Sequence, residues 1–162
     1  MDPWFKVNVD GATFVQSLTV GVGVLIRDFA GRVEAALSKR HSVPLGPLET
    51  EAKAMEEGIM FARDLGVRDV VVGSDSQIVI SILLASIEPP VGIATIIEGI
   101  HQKLQDFKQV QFSHVKRQGK RPAHILAQCA KNNVSYVTWI EESPSMIESA
   151  LAHDVLVLSL FQ

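Results

Sequence analysis

The fold of this chain is decided by a short stretch near its N-terminus, Val7-Asn8-Val9-Asp10-Gly11-Ala12-Thr13. Apolar and polar residues alternate through its first half, which is the period of a strand with one buried face. We expect this strand to end at Asp10 and to run directly into Gly11, where the backbone can turn or approach a ligand closely. Asp10 is therefore a candidate ligand for a metal ion or phosphate. The alternative interpretation is an ordinary solvated position on a strand.

The bulk composition describes an ordinary globular domain and excludes several classes of protein. The 162 residues suit one domain with a sizeable core, and we find neither a bilayer-spanning apolar run nor a signal-like N-terminus. Cys129 is the single cysteine, so we expect no disulfide framework and an intracellular, reducing compartment, nuclear or cytoplasmic. The net charge of −3 argues against a strong nonspecific nucleic-acid binder. It allows an enzyme whose acidic site is neutralised by metal ions.

The N-terminal part of the chain predicts an antiparallel meander of three strands. After the opening strand, Val20–Arg27 and Arg32–Lys39 have strand composition, with tight turns between the strands. Gly21 and Gly23 in the second strand lack the third glycine and the following helix of a dinucleotide-binding fingerprint. We expect these glycines where the strand bends or packs closely on a neighbour.

A change of period marks the second part of the chain. From Leu48 apolar residues recur every three or four positions, which predicts a long amphipathic helix that ends at Gly66. The β-branched run Asp69–Gly73 is typical of a strand buried on both faces, and a helical crossover into it implies a parallel neighbour. The rest of the chain predicts a helix over Ile78–Leu83, a helix from Ile93 to about Phe107, a strand over Val110–Val115, a basic loop over Lys116–Arg121, a helix over Pro122–Lys131 and one more short helix after Ser143.

Acidic residues occupy distinctive places in this order. Asp10 lies at the predicted end of the first strand, Asp75 follows the buried fourth strand, and Glu51 lies in the first turns of the long helix. Carboxylates that converge on a sheet edge repel one another unless divalent cations neutralise them, and oxygen ligands suit magnesium or manganese. The alternative is that Asp75 only caps the next helix and that Glu51 is only a first-turn acid favoured by the helix dipole.

This order of motifs also resembles a known family. The chain is similar to ribonuclease H-like domains, and specifically to the plant reverse-transcriptase-like subgroup of that superfamily. The resemblance runs from about Phe5 to the C-terminal segment. The segments that carry it are Val9–Ala12, Gly23–Asp28, Leu48–Ala52, Ser74–Ser76, His114–Arg117, Ala123–Ala127 and Trp139–Glu142 with Pro144.

The resemblance implies an α/β ribonuclease H-like fold with a five-stranded mixed sheet, three antiparallel strands followed by two parallel ones, and helices on both faces. It implies a single domain over residues 1–162, with a core at about 5–132 and a C-terminal segment, 133–162, packed on it. The implied activity is metal-dependent hydrolysis of the RNA strand of RNA–DNA hybrids by a monomeric endonuclease. Two Mg²⁺ or Mn²⁺ ions about 3.5–4 Å apart would serve this reaction.

The resemblance also implies roles for individual residues. Asp10 would bridge both ions, and Glu51 and Asp75 would complete one coordination shell. The fourth acidic ligand of the family falls at His124, which we place among the catalytic and metal-binding residues. His124 could orient the attacking water or bind manganese, or it could mark a site whose activity has faded.

Contacts to the hybrid are implied for a second group of residues. Gln77 matches a position in the minor groove, where a 2′-hydroxyl distinguishes RNA from DNA. The basic residues of the loop before the last core helix could contact phosphates, or could simply be solvated. Lys120 in that loop departs from the asparagine that is usual in the family. The predicted substrate-binding residues are Gly11, Ser76, Gln77, Lys116, Arg117, Lys120 and Arg121.

Two competing interpretations were considered. The stretch around Asp10 superficially resembles the motif of haloacid dehalogenase-type phosphatases, but Asn8 stands where those enzymes have the nucleophilic aspartate. We reject that class, because the early meander also does not fit a doubly wound sheet. The alternative that stays open is a ribonuclease H fold kept as a catalytically weak or inactive module that binds nucleic acid or protein.

Overall fold

The structure, a computed structural model, describes residues 4–116, 119–133 and 136–152. Within them the chain forms one mixed six-stranded sheet with helices on both faces. The elements are β1 (Phe5–Phe14), β2 (Thr19–Arg27), β3 (Val33–His41), α1 (Pro47–Asp64), β4 (Asp69–Ser74), α2 (Gln77–Leu83), α3 (Val91–Leu104), β5 (Gln109–His114), α4 (Arg121–Cys129) and β6 (Tyr136–Ile140).

The three N-terminal strands form the predicted antiparallel meander, but β1 is longer than expected. It continues beyond Asp10 to Phe14 and stays paired with β2 as far as Thr19. The prediction that the strand ends at Asp10 is therefore wrong. Beyond Gly11 the period of two is kept, because Ala12 and Phe14 are buried while Thr13 between them is exposed.

The other half of the sheet is parallel, as the helical crossover predicted. Strand β4 lies beside β1, and β5 lies beside β4, so that the order across the sheet is β5-β4-β1-β2-β3-β6. The pairing of β1 with β4 ends at Asn8 and Gly73. Strand β1 then runs on beside β2 alone, which places Asp10 just past the end of β4.

A sixth strand corrects the predicted sheet of five. Strand β6 pairs antiparallel with the outer side of β3. Four of its five side chains are exposed, and only Trp139 is partly buried. The segment therefore lacks the alternation of buried and exposed residues by which a strand is predicted from sequence. Its β-branched and aromatic composition was the available signal. After it, residues 145–152 form a 3-10 turn that continues as α-helix, which agrees with the short helix predicted after Ser143.

The two faces of the sheet carry separate hydrophobic clusters. On one face Met55 and Ile59 of α1 pack with Val24 of β2 in the larger cluster. On the other face Leu126 of α4 packs with Leu25 of β2 and with Ile147 of the C-terminal segment. Neighbouring residues of β2 thus serve opposite faces, which is the pattern of a central strand.

The glycines of β2 allow α4 to lie unusually close to the sheet. A Cβ atom on Gly23 would collide with the carbonyl oxygen of Ala123 and would lie 2.9 Å from Cβ of Leu126. A Cβ atom on Gly21 would collide with the carbonyl oxygen of Ala127. The predicted close packing of these glycines is therefore confirmed. Because Gly23 is the partner of Asp10 in the antiparallel register, this contact also brings the start of α4 next to Asp10.

We predict that Gly23→Ala destabilises the protein, because the helix backbone has no room to retreat without disturbing the core. Overpacking of this kind costs about 1–3 kcal/mol of unfolding free energy. Urea denaturation measures it. The matched control is Gly92→Ala in α3, where an added Cβ meets nothing within 4 Å. That variant should be unchanged or more stable by up to about 1 kcal/mol. Equal stability of the two variants would contradict the packing.

Candidate metal centre

Three carboxylates lie close together where β1 continues past the end of β4. Asp10 is contributed by β1, Asp75 directly follows β4, and Glu51 is contributed by the first turns of α1. One oxygen of each side chain lies within 4.8 Å of the other two. In the described part of the chain, this trio is the group of acidic, histidine or cysteine side chains that could hold a metal ion. The structure thus brings together the three acids that the sequence singled out.

The position of Glu51 depends on a close contact between α1 and β1. A Cβ atom on Gly11 would lie 2.7 Å from Cγ2 of Thr50, so glycine allows the start of the helix to approach the strand. The backbone N–H of Gly11 also donates a hydrogen bond to the Glu51 carboxylate. Gly11 therefore has a structural role beside Glu51. Its predicted contact with substrate stays a prediction.

Burial of the site shifts the pKa values of two of its carboxyl groups. Burial raises the pKa of Glu51 from 4.5 to about 8, and the negative charges of Asp10 and Asp75 add to this effect. Burial also raises the pKa of Asp10, against which the hydrogen bond with His124 acts. The Oε2 atom of Glu51 is buried and has no hydrogen-bond partner among the described residues. An orphaned carboxylate oxygen within a cluster of acids fits a divalent cation.

Two basic side chains reach this site from the start of α4. The Nδ1 atom of His124 lies 2.7 Å from Oδ2 of Asp10, whose side chain is 2% exposed, while the His124 side chain is 45% exposed. The ammonium of Lys120 lies 2.6 Å from Oδ2 of Asp75. This hydrogen bond raises the pKa of Lys120 despite partial burial, and the charges of Asp10 and Glu51 contribute further. His124 therefore contacts the trio through Asp10, although it is not one of the three residues whose ligand atoms cluster.

The other predicted substrate-binding residues do not join the cluster. Ser76 caps α2 by accepting a hydrogen bond from the backbone N–H of Val79, at 3.3 Å. Gln77 is exposed on the first turn of α2. Lys116 and Arg121 are exposed near the start of α4. Arg117 lies outside the described residues.

Asn8 is a contributor that sequence reasoning missed. It is almost fully buried, and its Nδ2 donates a hydrogen bond of 3.3 Å to the carbonyl oxygen of Gly119. This bond ties the loop before α4, and with it Lys120, to the strand that carries Asp10. Asn8 occupies a polar position in the alternating strand, and nothing in the local pattern indicates that a distant loop covers it.

Comparison with known proteins assigns the chain to a family. The profile of the family described as reverse transcriptase-like matches residues 8–130, which include all three clustered acids. The chain belongs to this family of ribonuclease H domains. No curated protein sequence matched it.

Solved ribonuclease H structures share this fold. Ribonuclease H1 of the halophilic archaeon Halobacterium salinarum NRC-1 superposes with a TM-score of 0.75 and 21% identity, over 80% of this chain and 98% of that one. The N-terminal ribonuclease H domain of a Mycobacterium tuberculosis protein superposes with a TM-score of 0.73 and 17% sequence identity. The match covers 80% of this chain and 94% of that one. LC11-RNase H1, solved in complex with an RNA/DNA hybrid, superposes with a TM-score of 0.66 and 19% sequence identity. The match covers 78% of this chain and 95% of that one. Among the described residues of this ribonuclease H domain, no helix is both long and apolar enough to cross a bilayer.

We predict that Glu51→Gln stabilises the metal-free protein at alkaline pH. The folded-state pKa of about 8 lies above the unfolded value of 4.5, so the stability that the carboxyl group contributes is complete below pH 4.5 and is lost as the pH rises to about 8. The gain for the glutamine variant should grow over this window to about 1–3 kcal/mol, the usual penalty of a buried unsatisfied group. Thermal unfolding in a chelator measures it.

Glu98→Gln is the control, because Glu98 is exposed on α3, away from the trio. Its stability should stay within about 0.5 kcal/mol of the wild type, because substitutions of exposed side chains usually cost little. A pH-independent difference for Glu51→Gln would show that Glu51 is not held in a charge-repelling environment.

Proposed function

We propose that this chain is a metal-dependent endonuclease that hydrolyses the RNA strand of RNA–DNA hybrids. The observation that carries the proposal is the cluster of Asp10, Glu51 and Asp75 within 4.8 Å on a ribonuclease H fold. A hard divalent cation is the partner that such oxygen ligands select, and we propose two Mg²⁺ or Mn²⁺ ions.

Asp10, Glu51 and Asp75 would hold the ions in this proposal. Bound divalent ions supply an activated water nucleophile and stabilise the leaving oxygen in phosphodiester hydrolysis. His124 would orient the attacking water or bind manganese. One nitrogen of its ring is fixed by Asp10, and because the side chain is 45% exposed, the rest of the ring is open to a water molecule or an ion.

The surface beside the site would bind the hybrid. Exposed Gln77 is close in sequence to Asp75 and would contact the minor groove, with Gly11 and Ser76 nearby on β1 and at the start of α2. Lys116, Arg117 and Arg121 would contact phosphates. The related LC11-RNase H1 has been solved with an RNA/DNA hybrid, which supports this substrate class for the present chain.

Several further predictions accompany this function. We propose that residues 1–162 act as one ribonuclease H domain, with the segment 133–162 packed on a core of about 5–132. The monomeric state, the intracellular compartment and the relation to the plant subgroup also stay predictions.

A second candidate function is hybrid binding without cleavage. A specific observation favours it: Asp10 is already paired with His124, and Asp75 with Lys120. Two of the three acids thus have a basic partner from the chain itself. If these pairs persist when substrate binds, the fold would recognise a hybrid but would not hold the ions needed to cut it.

We predict that the purified protein cuts the RNA strand of a labelled RNA–DNA hybrid in Mg²⁺ or Mn²⁺, and that Asp10→Asn abolishes cutting. Replacing groups that only support metal ligands costs about 10–100-fold, so loss of a central ligand should cost more than about a hundredfold. Gel analysis of the products measures this. If hybrid is bound but not cut in either ion, and Asp10→Asn behaves like the wild type, the binding function is correct and the nuclease function is wrong.

We further predict that His124→Asp raises the Mg²⁺-supported rate by about tenfold, because Mg²⁺ prefers carboxylate oxygen to imidazole nitrogen. The informative quantity is the ratio of rates in Mg²⁺ and Mn²⁺ at saturating metal, since a fourth carboxylate also destabilises the metal-free protein. The ratio should shift towards Mg²⁺. An unchanged ratio would show that position 124 does not act on the ions.

A further inference from the structure

We propose that Lys120 is an internal cation that competes with divalent ions for Asp75 and thereby sets the metal affinity of the free protein. The inference rests on the proposed metal site but concerns binding rather than cleavage. Its physical basis is the place of a fixed positive charge inside a cluster of carboxylates.

The ion pair between Lys120 and Asp75 is short and sheltered. The ammonium lies 2.6 Å from Oδ2 of Asp75, just below the usual range of about 2.7–2.9 Å for a charge-assisted hydrogen bond of this kind. The side chains of Lys120 and Asp75 are only 24% and 28% exposed. Solvent therefore screens this pair less than it screens a pair of freely exposed side chains.

The backbone of Lys120 is held in place on both sides. Before it, Gly119 accepts the hydrogen bond from Asn8, and the Gly119 N–H donates to the carbonyl oxygen of Lys116 at 2.9 Å. After it, the carbonyl oxygen of Lys120 accepts the first helical bond of α4, from the N–H of His124 at 2.9 Å. The backbone of Lys120 is thus held in place, so that forming the pair orders only the side chain and not the backbone.

A divalent ion bound by Asp75 would lie close to the Lys120 ammonium, because that ammonium already occupies one of the few lone-pair sites of the carboxylate. Mg²⁺ binds oxygen ligands at about 2.0–2.1 Å, so an ion on Asp75 would lie within a few ångströms of the ammonium. The like charges also repel. Metal binding at Asp75 therefore costs either this repulsion or, when the Lys120 side chain moves away, the loss of the ion pair. That cost is subtracted from the affinity for metal.

The test is calorimetric titration of the metal-free full chain with MgCl₂ and MnCl₂. Lys120→Met, which removes the charge, should tighten binding about tenfold, a change equivalent to about 1.4 kcal/mol. Lys120→Arg, which keeps the charge, should bind like the wild type. Lys131→Met is the matched control, because Lys131 is exposed and follows α4 at its far end, and it should also bind like the wild type. In an Asp75→Asn background, Lys120→Met should lose its effect.

A second measurement needs no variant and so does not depend on the folding of Lys120→Met. The wild type is acetylated with acetic anhydride with and without Mg²⁺, and modification of each lysine is read by mass spectrometry. Saturating Mg²⁺ should raise the modification of Lys120 severalfold and leave Lys131 unchanged.

The outcomes separate this inference from the proposed function. Equal metal affinity of the wild type and Lys120→Met, absence of binding in both, or metal-independent acetylation of Lys120 would each overturn the inference. Tightened binding in Lys120→Met without hybrid cleavage would support the inference while contradicting the nuclease function.

Discussion

Mutual repulsion among Asp10, Glu51 and Asp75 is the constraint around which this ribonuclease H domain is arranged. Three oxygen atoms within 4.8 Å of one another, in a sheltered site, cannot all carry full charge without compensation. The surroundings of each acid reflect this. Burial raises the pKa of Glu51 and so favours its neutral form, Asp10 is paired with an imidazole, and Asp75 is paired with an ammonium. The chain thus supplies its own compensation for a geometry that suits divalent ions.

The two basic partners come from the start of α4, and the packing of α4 depends on β2. Gly21 and Gly23 remove the side chains that would hold the helix away from the sheet. Since Gly23 lies opposite Asp10 in the register, the same contact that builds the core on this face carries His124 to its partner. Asn8 adds a tie to the preceding loop. Core packing and site electrostatics are therefore coupled through one helix.

The sequence predicted those features that local patterns encode. The meander, the long helix and the buried parallel strand follow from the period of the apolar residues, and the positions of Glu51 and Asp75 follow from where these elements start or end. Asp10 lies inside β1, just past the end of its neighbour β4. The convergence of Asp10 and Asp75 could be predicted because the helical crossover indicated that their strands are parallel neighbours. The family motifs supplied His124.

Features that depend on distant neighbours could not be predicted in the same way. The length of β1 is set by its partner β2, which continues to pair after β4 has ended. Strand β6 has exposed side chains on both faces, so its sequence does not show the alternation of apolar and polar residues that a half-buried strand has. Lys120 belonged to a basic loop whose plain interpretation was phosphate contact. Only the fold shows that it reaches Asp75, 45 residues earlier in the chain.

The position of β6 has a consequence for how this domain can tolerate change. In the sheet order, β2 and β3 separate β6 from the strand that carries Asp10, a span of about 14 Å at the usual strand spacing. Within the described residues, β6 has β3 as its single strand neighbour, and it contains no charged residue or proline of the kind that discourages further pairing. Self-association along this edge would leave the acidic cluster uncovered. The β6 edge and the acidic cluster are thus carried by different strands, so a change in β6 would not act directly on the cluster.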